Sequence, residues 1–409
     1  MAKRKATKDF IWNALGLTFN ALNSLFFLII VKLINGMNEA GVFTYAFSLC
    51  CLFYVLATFF NRAFQVSDTK FSFNDCLSCR VLFSIISLVM ILVFSIISGF
   101  AFYKILVIFL LMIFRVIESI SDCFYGELQK SDRLYKTGIS LVLKAIIGVL
   151  SFLVIDLLTK SVLLSILSLV MVNLIIFVLY DVKNYSNISG KKIMFTAKNF
   201  KSLCKIGLPV FIFSALSIYL ANCQKYILTY FAPNDVQTIF GILIMPATAM
   251  SLIGAYLSNP AIQKLTEYNT KKQYREYLSL SKTLLSAIVG FGVLAIILSF
   301  VIGIPIIDFI YKINLSEYKA DLVVVVVASI LYTISLVTSN FLTILEENKC
   351  QTYIYMTTAL VSTVVSIIAI MGSSIHGAVY SFLISNIILT CSYIVLFAKT
   401  IAKKGVNRR

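Results

Sequence analysis

Runs of about twenty apolar residues recur along the chain with little polar sequence between them, the length a helix needs to cross a bilayer at 1.5 Å of rise per residue. The pattern predicts spans over 10 to 34, 41 to 63, 80 to 100, 103 to 126, 138 to 158, 162 to 182, 206 to 231, 236 to 258, 280 to 304, 320 to 343, 351 to 372 and 376 to 398. The expected fold is all-α: a polytopic membrane protein of twelve transmembrane helices. The longest basic loop, Asp181 to Lys205, follows the sixth span. It divides the chain into an N-terminal six-helix lobe (1–185), a basic linker (186–205) and a C-terminal six-helix lobe (206–409). Six is even, so both lobes enter the membrane from one side and any repeat between them is parallel. Ala57, Asn61 and Ala63 match Ala255, Asn259 and Ala261 at one constant offset, which fits duplication.

Composition agrees with a bilayer protein. Of 409 residues 60% are hydrophobic and 13% charged, and mean hydropathy is +0.94; soluble globules are about 45–50% apolar. The net charge of +17 resides in short loops and not in a continuous basic stripe, which argues against nucleic acid as a partner and for lipid headgroups. Of the 35 Lys and Arg, 27 fall on one side of the predicted spans and four on the other, Lys104, Lys160, Lys312 and Lys319. The positive-inside rule therefore puts both termini in the cytoplasm. The basic start of MAKRKATKDFIWNALGLTFN runs into apolar sequence as far as Ile34 with no small-residue cleavage site, which reads as a retained first span.

The nine cysteines are scattered, and the lone Cys76-x-x-Cys79 lacks the second pair or nearby His that zinc would need. His376, the only histidine, has no carboxylate beside it in sequence and reads as structural or solvated. No phosphate-cradling P-loop is present, and the predicted outer loops are too short to carry the acid and base groups of a sugar polymerase. The chain is expected to have no catalytic residues, no metal and no cofactor, and to draw on an ion gradient, the membrane potential or the substrate gradient.

Ionic side chains inside the spans are the candidate chemistry, because a charge at the bilayer centre costs at least about 2.5–3.5 kcal/mol and marks a pathway by default. The fourth span carries Arg115, Glu118 and Asp122. At about 100° per residue Asp122 returns almost to the face of Arg115, with Glu118 one turn along. Arg115 lies about 18 Å into this span, too deep to snorkel easily. It reads either as a substrate contact or as one partner of a pair pinning two helices. Lys144, Lys225 and Arg115 sample different depths, as a large anionic headgroup needs while crossing; snorkelling is the competing reading for Lys144, and interfacial anchoring for Lys225 and Lys32. Guanidinium suits a phosphate because its donors meet two oxygens at once. Glu118 and Asp122 would hold Arg115 charged, exchange protons or bind a cation. Asn20 and Asn23, with Asn13 on the first span, either bond sugar hydroxyls or hold helices together. Gln224 adjoins Lys225 and joins the candidate substrate-binding set. Pro209 and Pro246 should bend their helices.

Four blocks carry a family resemblance: NRAFQVSD (Asn61 to Asp68), FRVIESISDCFYGELQKSDRL (Phe114 to Leu134), GLPVFIFSALSIYLANCQKYILTYF (Gly207 to Phe231) and FGILIMPATAMSLIGAYLSNPAI (Phe240 to Ile262). They resemble the oligosaccharide-lipid flippases of bacterial capsule and O-antigen synthesis. Those belong to the superfamily of multidrug, oligosaccharidyl-lipid and polysaccharide exporters. The resemblance implies two six-helix lobes around a central cationic cavity. It also implies transfer of an undecaprenyl-pyrophosphate-linked repeat unit to the outer leaflet of the bacterial plasma membrane by alternating access. Arg115 and Lys225 would then meet the pyrophosphate. The partners implied are the lipid-linked oligosaccharide, membrane lipids, a monovalent cation or proton, and a polysaccharide polymerase with its glycosyltransferases. The alternatives are a cation-coupled multidrug exporter of the same superfamily, in which Glu118 and Asp122 dominate, and a membrane polysaccharide polymerase.

Overall fold

A computed structural model describes residues 2–59, 62–67, 71–189, 194–196 and 199–406, which are mostly helical with no strand among them. Asn61, Asp68, Lys70, Lys191, Lys192, Lys198, Arg408 and Arg409 lie outside the described residues. The chain divides into two compact units, Met1–Ile218 and Tyr219–Arg409. The division falls inside one long helix, beyond the residue at which the second lobe is expected to begin.

In the first unit the helices are α1 (Ala2–Asn35), α2 (Met37–Ala57), the short α3 (Arg62–Ser67), α4 (Phe73–Ile97), α5 (Phe102–Lys130), α6 (Leu134–Thr159), α7 (Val162–Ile176) and α8 (Lys183–Ser189). A π-helical turn, Phe177–Val182, joins the last two. The unit also takes in the first part of α9 (Phe200–Phe231). Helix α4 starts where Ser72 closes a capping box: its Oγ accepts from Asp75 N at 3.2 Å, and Asp75 Oδ2 accepts from Ser72 N at 3.0 Å. That satisfies two amide donors a helix start leaves open. The described part of the linker is tied to this start, with Thr196 N donating to Ser78 Oγ at 2.8 Å and Asn199 Nδ2 to Asp75 Oδ2 at 3.1 Å. Helices α1 and α6 pack at backbone contact: a Cβ added to Gly138 would sit 2.2 Å from the Trp12 carbonyl oxygen. Small residues allow such approach in lipid, where packing replaces the hydrophobic effect between helices.

The second unit holds the rest of α9, then α10 (Asn234–Leu243), α11 (Met245–Thr270), α12 (Tyr274–Leu298), α13 (Ile304–Tyr311), α14 (Lys319–Ile344) and α15 (Asn348–Val406). Pro246 marks the break between α10 and α11, where its missing N–H costs nothing in the first turn of a helix. Helix α15 breaks at Ser373 and Ser374, whose backbone angles are φ −147°, ψ 23° and φ 47°, ψ −114°. The hydrophobic pattern puts its last turn there.

Ten helical stretches among the described residues are long and apolar enough to cross a membrane, as a multi-pass membrane protein requires. A count of twelve would add α5, 29 residues long but charged, and take the broken α15 as two.

Candidate functional site

Helix α5 enters as an apolar rod, and its second half carries the charges. Two cavities in the first unit meet this charged face. One, of about 320 Å³, is lined chiefly by apolar groups of α2, the turn that follows it and α9, among them Val55, Phe59, Val210 and Phe211, with Arg115 on its wall. The other, of about 100 Å³, is lined by Asn20, Asn23, Arg62, Glu118, Asp122 and Lys144 among others. Tyr54 borders both.

Arg115 is not sealed between helices: its side chain is 14% exposed. Nη1 donates to Glu118 Oε2 at 2.6 Å and Nη2 to Cys51 Sγ at 3.3 Å. The guanidinium lies over the Phe47 ring at 4.5 Å, a cation–π contact that favours charge in a dry setting. Its buried Nε has no hydrogen-bond partner.

Asp122 corrects the expectation that both carboxylates serve Arg115. It is paired instead with Arg80 at 3.4 Å and Arg62 at 3.6 Å. The seven-residue step preserves the face but climbs about 10 Å, beyond what one guanidinium spans while it also holds Glu118. Arg80, at the start of the third predicted span, is only 1% exposed and also donates to the Ser119 carbonyl at 3.2 Å.

Lys144 does not snorkel. Its Nζ is 2.6 Å from Ser121 Oγ, 3.0 Å from Tyr125 OH and 2.6 Å from Asp181 Oδ2, which uses all three donors of an ammonium. Asp181, where the sixth predicted span runs into the basic loop, is fully buried in the π-helical turn and also accepts from Ser140 Oγ at 2.6 Å. Such turns inside helices recur at functional sites. The sequence missed this partner because a carboxylate between an apolar run and a basic loop looks solvated.

The remaining candidates separate. Asn20 and Asn23 do reach the smaller cavity, although Asn23 is 7% exposed. Lys32 is buried at 8% exposure, not at a helix rim open to solvent. In the second unit Lys225 and Asn222 line a cavity of about 240 Å³ with Thr248, Ser251 and Tyr332, and Lys225 Nζ is 3.3 Å from Asn222 Oδ1. Gln224 does not join them: it is fully buried and donates to Ser366 Oγ at 3.2 Å, tying α9 to α15. His376 has a carboxylate after all, Asp321 Oδ2 at 2.9 Å, contributed by α14. Cys76 and Cys79 are buried in a core cluster with Phe73, Cys123 and Phe124, packing there as small apolar groups. Among the described residues no group of three His, Cys, Asp or Glu is placed to hold a metal.

No protein-family model matches the chain. It is 21% identical over 325 residues to the capsular polysaccharide biosynthesis protein CapF of Staphylococcus aureus, covering 79% of this chain and 81% of that protein. The lipid II flippase MurJ in its inward closed conformation superposes with a TM-score of 0.68 at 15% identity, over 98% of this chain and 90% of MurJ. The inward-facing structure of a multidrug resistance MATE family transporter of the MOP superfamily gives 0.65 at 13%, over 99% and 96%. A Vibrio cholerae MATE transporter gives 0.63 at 11%, over 98% of each chain. The chain thus has the fold of the transporters of the multidrug, oligosaccharidyl-lipid and polysaccharide exporter superfamily, the one its sequence blocks resemble.

Proposed function

We propose that this protein is a flippase that moves an undecaprenyl-pyrophosphate-linked oligosaccharide from the cytoplasmic to the outer leaflet of a bacterial plasma membrane, by alternating access, for capsule or surface polysaccharide. In this reading it crosses the membrane twelve times in two six-helix lobes, with both termini cytoplasmic. The observation that carries it is Arg115: one guanidinium, the only charged group, on the wall of a mainly apolar 320 Å³ cavity, with a single carboxylate partner and an unbonded Nε. An apolar chamber with one phosphate-matching fork suits a lipid diphosphate better than a neutral solute or a metal cation. The likeness to a capsular polysaccharide biosynthesis protein supports the same class.

Lys225 is the second phosphate contact in this reading, and Asn20 and Asn23 meet sugar hydroxyls. Lys144 serves by holding Asp181 and Tyr125 in place. Glu118 keeps Arg115 charged and oriented between substrates. A coupling cation or proton, and a polymerase with glycosyltransferases as working partners, complete the proposal.

The competing reading, a cation-coupled drug exporter, draws on the likeness to multidrug transporters. Deleting the gene separates the two. A flippase leaves lipid-linked oligosaccharide in the inner leaflet and a bare surface. Drug hypersensitivity with a normal surface polysaccharide would assign the exporter.

A further inference from the structure

The four ion pairs around the smaller cavity differ in how tightly they are made. Glu118 is held by Arg115 at 2.6 Å and Lys144 by Asp181 at 2.6 Å, whereas Arg62 approaches Asp122 only through Nε at 3.6 Å. Arg62 is 25% exposed and Asp122 is 24% exposed, and both border the cavity. Behind Asp122 stands Arg80, 1% exposed and anchored to the Ser119 carbonyl. Asp122 thus has one buried partner and one near the cavity, and losing the second does not strand its charge. Stranding a buried carboxylate is what ordinarily makes such a pair hard to open. Among the described residues, Asp122 is the only carboxylate paired with Arg62.

We infer that Arg62 is a receiving group for a diphosphate: the ligand's phosphate replaces the Asp122 carboxylate on Arg62, and Asp122 falls back on Arg80. The exchange conserves ion pairs, which keeps its cost low. It also gives Asp122 a role the charged stripe of α5 does not reveal, that of a resident anion holding the receiving arginine until a phosphate arrives. The inference rests on the lipid-diphosphate reading and deepens it with a further phosphate-binding residue, from α3.

Calorimetric titration of inorganic pyrophosphate into the full-length chain in phosphatidylcholine nanodiscs tests it. Arg62→Gln should weaken binding about tenfold, the loss of one charge-assisted contact. Asp122→Asn should tighten it about threefold or more, since a competing anion is removed, and this gain should vanish in the Arg62→Gln background. Unchanged or weaker binding by Asp122→Asn would make Asp122 a strut and overturn the exchange. Should Asp122→Asn not fold, Arg62→Gln decides alone, with unaltered affinity overturning the proposal. Replacing a third of the lipid by phosphatidylglycerol should leave the titration intact; abolition would make Arg62 a bulk-headgroup anchor instead. Loss of binding in Arg115→Ala together with normal binding in Arg62→Gln rejects only the exchange. Absence of binding in the wild type rejects the flippase reading itself.

Discussion

Arg115 Nη1 and Glu118 Oε2 lie 2.6 Å apart on adjacent turns of α5, while Asp122 on the same face belongs to other arginines. A double-mutant cycle in detergent, read by thermal unfolding, should reproduce that partition. We expect a coupling energy of about 1–2 kcal/mol between Arg115→Met and Glu118→Gln, and near zero between Arg115→Met and Asp122→Asn. Equal coupling to both would restore the single charged stripe that the sequence suggests.

Lys144 and Asp181 should behave as a buried pair. Lys144→Met leaves a fully buried carboxylate facing only hydroxyls, and Asp181→Asn leaves a buried ammonium without its counter-ion. Each single change should destabilise by about 3–5 kcal/mol. The double variant Lys144→Met with Asp181→Leu should recover much of that loss, because two matched apolar groups avoid the desolvation both ions suffer. Unfolding curves of the three proteins in one detergent decide it.

These pairs also mark how far the sequence can be read. A bilayer leaves its signature in every segment independently, so the apolar runs locate helices, and the break at Ser373–Ser374 falls where the runs part. Arg115 was legible as a cavity candidate for the same reason: a deep guanidinium must go somewhere polar. Pairing was not legible. Whether Asp122 meets Arg115 or Arg80, and whether Lys144 meets headgroups or Asp181, depends on how helices rotate and cross, and nothing local encodes that. The π-helical turn at Phe177–Val182 compounds the difficulty, since the extra residue per turn rotates Asp181 relative to an ideal helix. His376 and Asp321, on separate helices, escaped for the first of these reasons.

The contact of α1 with α6 offers a built-in probe. Trp12 is the only tryptophan, and its carbonyl would lie 2.2 Å from a Cβ on Gly138. Gly138→Ala should force the two helices apart at a cost of about 1–3 kcal/mol and shift the Trp12 emission maximum. Gly290→Ala in α12, whose Cβ would meet nothing within 4 Å, should leave emission alone and stabilise by up to about 1 kcal/mol.

The direct test of the central claim is transfer of a fluorescent lipid-linked diphosphate oligosaccharide between leaflets of proteoliposomes. Wild-type protein should move it, and Arg115→Ala, reconstituted to the same level and orientation, should slow transfer at least about a hundredfold, the loss of nearly 3 kcal/mol of charge-assisted binding. Undiminished transfer by Arg115→Ala would contradict the account.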